Sequence, residues 1–242
     1  MMQMKKVLFL ILSVFTVGGL FAQDLKLEDV LAKHFKAIGQ EKFAKVQTIK
    51  MTGKVFQMGM EMTMSVIKKR PNFSRTEVDV QGTKIVYAVD GQTGWMIMPF
   101  TGSSDPQDMP EEQLTSARKE DMDGPFLNYQ AKGNKVELVG KEVVDSVSVY
   151  NIKVTTKDDE TSNYYIDASK FVILKMKAKV MAQGQLAEVE TKFSDFKVAN
   201  GIQSAYKIET IANGQAGASI TFETVEYDIP VDNAIFVKPA AK

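Results

Sequence analysis

The feature that most limits this chain is an alternation with a period of two, running with one interruption from about residue 46 to residue 228. Successive side chains of a strand point to opposite faces, so alternating apolar and polar residues specify a half-buried strand. In 171–180 (FVILKMKAKV), Val172, Leu174, Met176, Ala178 and Val180 fall on one side and Lys175, Lys177 and Lys179 on the other. In 185–196, Glu188, Glu190 and Lys192 oppose Ala187, Val189 and Phe193. Strands of a parallel sheet, covered on both faces, read instead as continuous apolar runs. The sheet is therefore expected to be antiparallel, with one wet face and one covered face.

Strands are expected near 46–57, 60–69, 73–80, 83–90, 94–99, 134–143, 146–156, 162–167, 171–181, 185–198, 203–212 and 217–228, separated by turn pairs such as Met58-Gly59, Gln81-Gly82 and Asn213-Gly214. A sheet of about a dozen strands is too wide to stay flat and should curl. Few helices are available to cover it. Leu25–Ile38 places Leu27, Val30, Leu31, His34, Phe35 and Ile38 on one helical face, with Gly39 as its stop and a shorter helical turn over Gln40–Lys45. The interruption at 100–131 is polar and proline-bearing, with a helix expected over Pro110–Met122. The expected architecture is mainly β with a few helices: a strongly curved antiparallel sheet, an unclosed β-barrel, with helices covering its apolar concave face.

The N-terminus has a different character. Lys5 and Lys6 precede an apolar run, Val7–Val17, and Gly18–Ala22 ends in a small residue before polar Gln23-Asp24. That is the pattern of a secretory signal peptide, too short for a comfortable membrane span, removed after Ala22 to leave one domain over 23–242. The chain has no cysteine. An exported protein of this kind has no disulfides and carries no lipid on an N-terminal cysteine. It is expected to be freely soluble in the periplasm. Lys and Arg number 30 against 30 Asp and Glu, so no excess of positive charge recommends nucleic acid as a partner.

One stretch, Val55–Ser65 (VFQMGMEMTMS), carries a methionine at every second place: Met58, Met60, Met62 and Met64. A two-residue hairpin at Met58-Gly59 pairs Gln57 with Met60, Val55 with Met62, Gly53 with Met64 and Met51 with Val66. One face of the hairpin then holds Met51, Val55, Met60, Met62, Met64 and Val66. Three readings of it stand. Thioethers select Cu(I), but neighbours at i and i+2 lie about 6.5–7 Å apart, and the only histidine, His34, is in another element. The face could be plain core. Or it could line a cavity for a flexible apolar ligand, since methionine is unbranched and polarizable and adapts to varied shapes.

Catalytic signatures are missing. The sequence has no cysteine nucleophile, G-x-S-x-G elbow, phosphate-binding glycine loop or H-E-x-x-H. His34 is expected to be packed or lid-facing. Asp158-Asp159-Glu160 reads as a charged hairpin tip, and Asp121-Met122-Asp123-Gly124 lacks the closing glutamate of an EF-hand loop. No enzyme and no cofactor are expected.

Two motifs point to a family. Lys69-Arg70-Pro71-Asn72-Phe73 is followed by Val89-Asp90-Gly91-Gln92-Thr93-Gly94-Trp95-Met96-Ile97-Met98-Pro99-Phe100. The pair resembles the K-R-P-N and S-D-G-x-T-x-W…N-P-F motifs of the LolA/LolB superfamily of periplasmic lipoprotein carriers. Tyr164–Asp167, Phe193–Phe196 and Ile235–Pro239 resemble its later rhythm. The chain departs in having one residue fewer before the aromatic at Phe73 and a longer C-terminal half. The resemblance implies an unclosed barrel with helices over its mouth and an apolar cavity for lipoprotein acyl chains or another lipid. The lining expected is Met51, Val55, Met60, Met62, Met64, Val66, Tyr87 and Trp95. In these carriers the motif arginine hydrogen-bonds to the helical lid, a gating role that falls to Arg70. The partners implied are an inner-membrane donor and an outer-membrane acceptor, with the carrier a monomer. Relatives in the superfamily sense or bind other apolar molecules, so the alternative is a sensor or interaction module of the same fold without a transported lipid.

Overall fold

The computed structural model describes residues 25–182 and 185–240. The expected signal peptide, residues 1–22, lies outside the described residues. Helix α1 (Leu27–Ile38) and the short α2 (Gln40–Phe43) lead into a run of antiparallel strands. These are β1 (Thr48–Gln57), β2 (Met60–Lys69), β3 (Phe73–Val80), β4 (Thr83–Val89), β5 (Gly94–Met98) and β6 (Ser103–Asp108). After α3 (Glu111–Lys119) come β7 (Lys135–Val144), β8 (Val147–Thr155), β9 (Thr161–Asp167), β10 (Ile173–Ala182), β11 (Gln185–Ala199), β12 (Ile202–Ala212) and β13 (Gln215–Tyr227).

All thirteen strands form one sheet in the order β6-β5-β4-β3-β2-β1-β13-β12-β11-β10-β9-β8-β7. The first and last strands, β6 and β7, do not pair with each other, so the sheet is not closed. Its curl is visible in α3. Lys68 of β2 reaches Glu120 just beyond that helix at 2.7 Å, while Lys119 reaches Asp158 and Glu160 in the β8–β9 turn at 3.0 and 2.8 Å. Adjacent strands lie about 4.8 Å apart. Six strand-to-strand steps of flat sheet, from β2 to β9, would be roughly 29 Å wide, too far for one helix end to touch both limbs.

The methionine hairpin has the expected register: Gln57 faces Met60, Val55 faces Met62, Gly53 faces Met64 and Met51 faces Val66. Met58 and Gly59 both take positive φ, 52° and 79°, the condition for a type I′ turn, whose twist suits a two-residue hairpin. Gln81-Gly82 and Asn213-Gly214 do the same. Gly39 ends α1 at φ 73°, and a Cβ there would collide with the Gly201 carbonyl.

Three expectations need correction. Residues 103–108 form a strand, β6, inside what reads as an irregular stretch. Its sequence, SSDPQD, has no apolar alternation, because an edge strand with an exposed outer side needs none. Helix α3 covers 111–119 and is shorter than expected, with Pro110 at its N-cap and a 3-10-like exit at Glu120. In β10 the pairing shifts between Ile173 and Lys175. Ile173, and not Leu174, therefore packs with Ile166 into the core, while Val172 is buried before the shift.

The core lies under the helices. Val30 and Leu31 of α1 pack on Tyr150, Ile152, Val154 and Ile166 from the concave side of the sheet, together with Phe126 from the segment after α3. A second cluster joins Val46, Ile49 and Ile202 to Met51, Met122 and Val225.

Candidate functional site

Pairing carries the concave face across β1 to β5. Val55 and Gly53 share it with Met62 and Met64, Met64 with Val78, Val78 with Ile85, and Thr76 with Tyr87. At the hairpin-tip end, beyond the reach of α1 and α3, this face is open and forms a groove of about 530 Å³. Val55, Met60, Met62 and Met64 make one wall, Val78, Val80, Ile85 and Tyr87 the other, and Met58 and Phe100 stand at the rim. Met58 is 88% exposed, Phe100 63% and Met60 45%. Large apolar side chains so exposed in one place are uncommon away from binding surfaces.

Of the residues expected to line a cavity, Val55, Met60, Met62, Met64 and Tyr87 border this groove. Met51 and Val66 share its face but lie deeper: Met51 packs against the Val46–Ile49–Ile202 cluster, and Val66 is buried. Trp95 does not belong to the set. It pairs with Ala88, while Tyr87 pairs with Met96, so Trp95 lies on the opposite, outer face. There it is buried against Val86 and Ala88, under the C-terminal segment. Its indole Nε1–H donates to the Phe236 carbonyl at 2.7 Å, and the Arg75 guanidinium lies 5.2 Å from its ring.

The register also bears on the copper reading. The cross-strand partners of Met60, Met62 and Met64 on β1 are Gln57, Val55 and Gly53. The one sulfur that β1 adds to this face, Met51, stands opposite Val66 and packs against the Val46–Ile202 cluster.

Two further recesses lie on the concave side. One of about 580 Å³ lies between the sheet and α3, and Tyr87 borders both it and the groove. The other, of about 240 Å³, lies between α1 and the sheet, lined by His34, Phe35, Phe43, Phe126, Phe193 and Phe196 among others.

Arg70 holds the covering segments together. Its Nη1 and Nη2 donate to the two carboxylate oxygens of Asp123 at 2.8 and 2.6 Å, and its Nε donates to the Val46 carbonyl at 2.7 Å. Bidentate pairing of this kind is strong and directional. The two side chains are about one-fifth exposed. The hydrogen bond to Asp123 raises the Arg70 pKa, with burial opposing. Nearby, burial works against ionisation of Asp121, but the Lys132 ammonium, the Asp123 N–H and the Arg70 charge hold its carboxyl below its usual value. Asp123 thus pairs with Arg70, and Asp121 with Lys132. In the sequence both belong to a broken calcium loop, and nothing local announces the partner of Asp123, 53 residues away.

His34 is buried on α1, in edge contact with Phe126 at 5.7 Å between ring centroids. Its Nδ1 lies 2.8 Å from the Phe171 carbonyl. A carbonyl only accepts, so Nδ1 carries the proton. Burial lowers the pKa of His34, the Phe171 hydrogen bond opposing.

Among solved structures the chain is similar to a LolA superfamily protein from Nitrosomonas europaea, at 14% identity and TM-score 0.58, covering 88% of this chain and 98% of that one. It has a LolA-like fold. It also matches a protein domain from Vibrio parahaemolyticus assigned to outer-membrane lipoprotein sorting, at 10% identity and TM-score 0.56 over 86% of this chain and 97% of that one. A DUF1329 family protein from Desulfovibrio piger matches at 16% identity and TM-score 0.55, over 86% and 97%. No protein-family model matches the sequence, and no curated protein does.

Proposed function

We propose that this chain is a non-enzymatic exported carrier that takes acyl chains, of lipoproteins or of a similar lipid, into the concave side of its half-barrel. The observation that carries this reading is the methionine groove, an apolar recess of about 530 Å³ on a face that elsewhere is packed beneath helices. Its size falls within the range of small-molecule sites. Each methylene moved out of water contributes about 0.8 kcal/mol, so ten contribute roughly 8 kcal/mol before the entropic cost of association. Acyl chains can thus be held without covalent chemistry.

In this reading residues 1–22 are a signal peptide, residues 23–242 act as one domain in the periplasm, and the carrier works as a monomer. Arg70 gates the cavity through its bond to Asp123: release requires that latch to open while an outer-membrane acceptor takes the cargo delivered by an inner-membrane donor. The assignment of the Vibrio domain to outer-membrane lipoprotein sorting supports that setting. Protein purified from its host is expected to carry lipid or lipoprotein in native mass spectrometry, and Arg70→Leu is expected to shorten cargo retention. Lipid-free protein that also fails to bind a displaceable fluorescent fatty acid would sink the carrier.

A sensor or interaction module of the same fold is the second reading. The observation favouring it is the edge strand β7, unpaired on one side among the described residues, where Val139 is 60% and Val143 72% exposed. A partner strand added at that edge would cover them.

A further inference from the structure

We propose that Met58, Met60, Met62 and Met64 form an oxidation-sensitive site, a thioether switch that sets the polarity of the groove. The consequence for cargo rests on the carrier reading; the modification itself does not. Four of the chain's 14 methionines line this one recess, and there is no cysteine to compete for oxidant. Susceptibility of sulfur follows its access to solvent. Met58 and Met60 are 88% and 45% exposed, and Met62 and Met64 are partly exposed beside them. Met109 provides an internal contrast, buried under α3, while Met51 and Met122 are partly buried and pack against the cluster of Val46 and Ile202.

The step is a two-electron oxygen transfer. The thioether sulfur attacks hydrogen peroxide or hypochlorous acid, an S–O bond forms as the O–O or O–Cl bond breaks, and water or chloride with a proton leaves. The sulfur is oxidised to sulfoxide, and a dithiol-dependent methionine sulfoxide reductase reverses it. In the groove the new S=O is a strong acceptor among Val55, Val78, Val80 and Ile85. An acyl chain laid over it would bury that acceptor without a donor, weakening binding by about ten-fold or more.

The test treats lipid-free protein with graded hydrogen peroxide, maps sulfoxides by peptide mass spectrometry and titrates a fluorescent fatty acid. Sulfoxide is expected at Met58 and Met60 first, then at Met62 and Met64, and last at Met109. Fatty-acid affinity is expected to fall in step and return after reductase treatment with dithiothreitol. In the Met58→Leu/Met60→Leu/Met62→Leu/Met64→Leu variant, the ratio of oxidised to untreated affinity should stay near one, whatever its starting value. If that variant does not fold, Met58→Leu/Met60→Leu, changed at two exposed positions, is expected to blunt the early part of the response. Faster oxidation at Met109 than at Met58 and Met60, or groove sulfoxides with unchanged affinity, would overturn the switch. A reduced protein that binds no fatty acid overturns the carrier and the switch's hold over cargo, while mapping still decides the modification site.

Discussion

The two ends of the concave face are built alike and finished differently. At the end beneath α1, Tyr150, Ile152 and Ile166 alternate on their strands as Met60, Met62 and Met64 do on β2, yet Ile152 and Ile166 have no exposed surface while Met60 is 45% exposed. One end has a roof and the other does not. The residue types follow the difference. Branched side chains with few rotamers fill the roofed end, and unbranched, deformable ones line the open end. An apolar face is thus a core only where another element lands on it; elsewhere on the same sheet it is an exposed apolar surface.

Truncation should widen this contrast most. Ile152→Ala, which opens a void under α1, is expected to cost about 4 kcal/mol in chemical denaturation, against about 1 kcal/mol for Met62→Ala in the groove. Equal costs would mean that the groove is packed in solution. Arg70→Leu strips the carboxylate of Asp123 and the Val46 carbonyl of their donor, at a cost of about 2–3 kcal/mol. Hydrogen exchange should quicken across 120–134 and little elsewhere; uniform acceleration would argue against a local latch.

Acidity should loosen the roof first. Burial holds the folded-state pKa of His34 below its unfolded value of 6.5. The unfolded chain therefore binds the proton more readily, and stability falls as pH drops through about 6.5 towards the lower folded value. Above that window the contribution is constant. His34→Gln should flatten this part of the pH profile, followed by thermal denaturation.

Trp95→Phe leaves the Phe236 carbonyl without its donor, at a cost of about 1 kcal/mol, but should leave fatty-acid affinity unchanged, because the indole faces away from the groove. Smallest of all, Met60→Leu should alter stability by less than about 0.5 kcal/mol.

Much of this contrast is legible in the chain. The hairpin at Met58-Gly59 sets a register that puts Val55, Met60, Met62 and Met64 together, and the lysine and glutamate alternation of β10 and β11 marks the opposite face. Lys175 is nonetheless buried there, in ion pairs with Asp145 and Glu190. Extending the same parity through Gln81-Gly82 would also have found Val78 and Ile85. Trp95 escapes such counting because the turn from Asp90 to Thr93 resets parity. That turn is fixed by the Asp90 carboxylate accepting from the Gln92 and Thr93 N–H groups. Asp123 escapes for a different reason: its role exists only because the segment after α3 folds back to Arg70.

Across strands joined by two-residue turns, β1 with β2 and β3 with β4, the sequence by itself determined which side chains share a face. Alternation and such turns are local, and each residue's side follows from its neighbour's. Where the roof falls was decided only by the tertiary structure. That depends on α1, α3 and the segment after α3 reaching strands far away in the chain, and no local pattern states where they arrive. The same methionine alternation would have been core under α1; left beyond the roof, it is an open apolar groove.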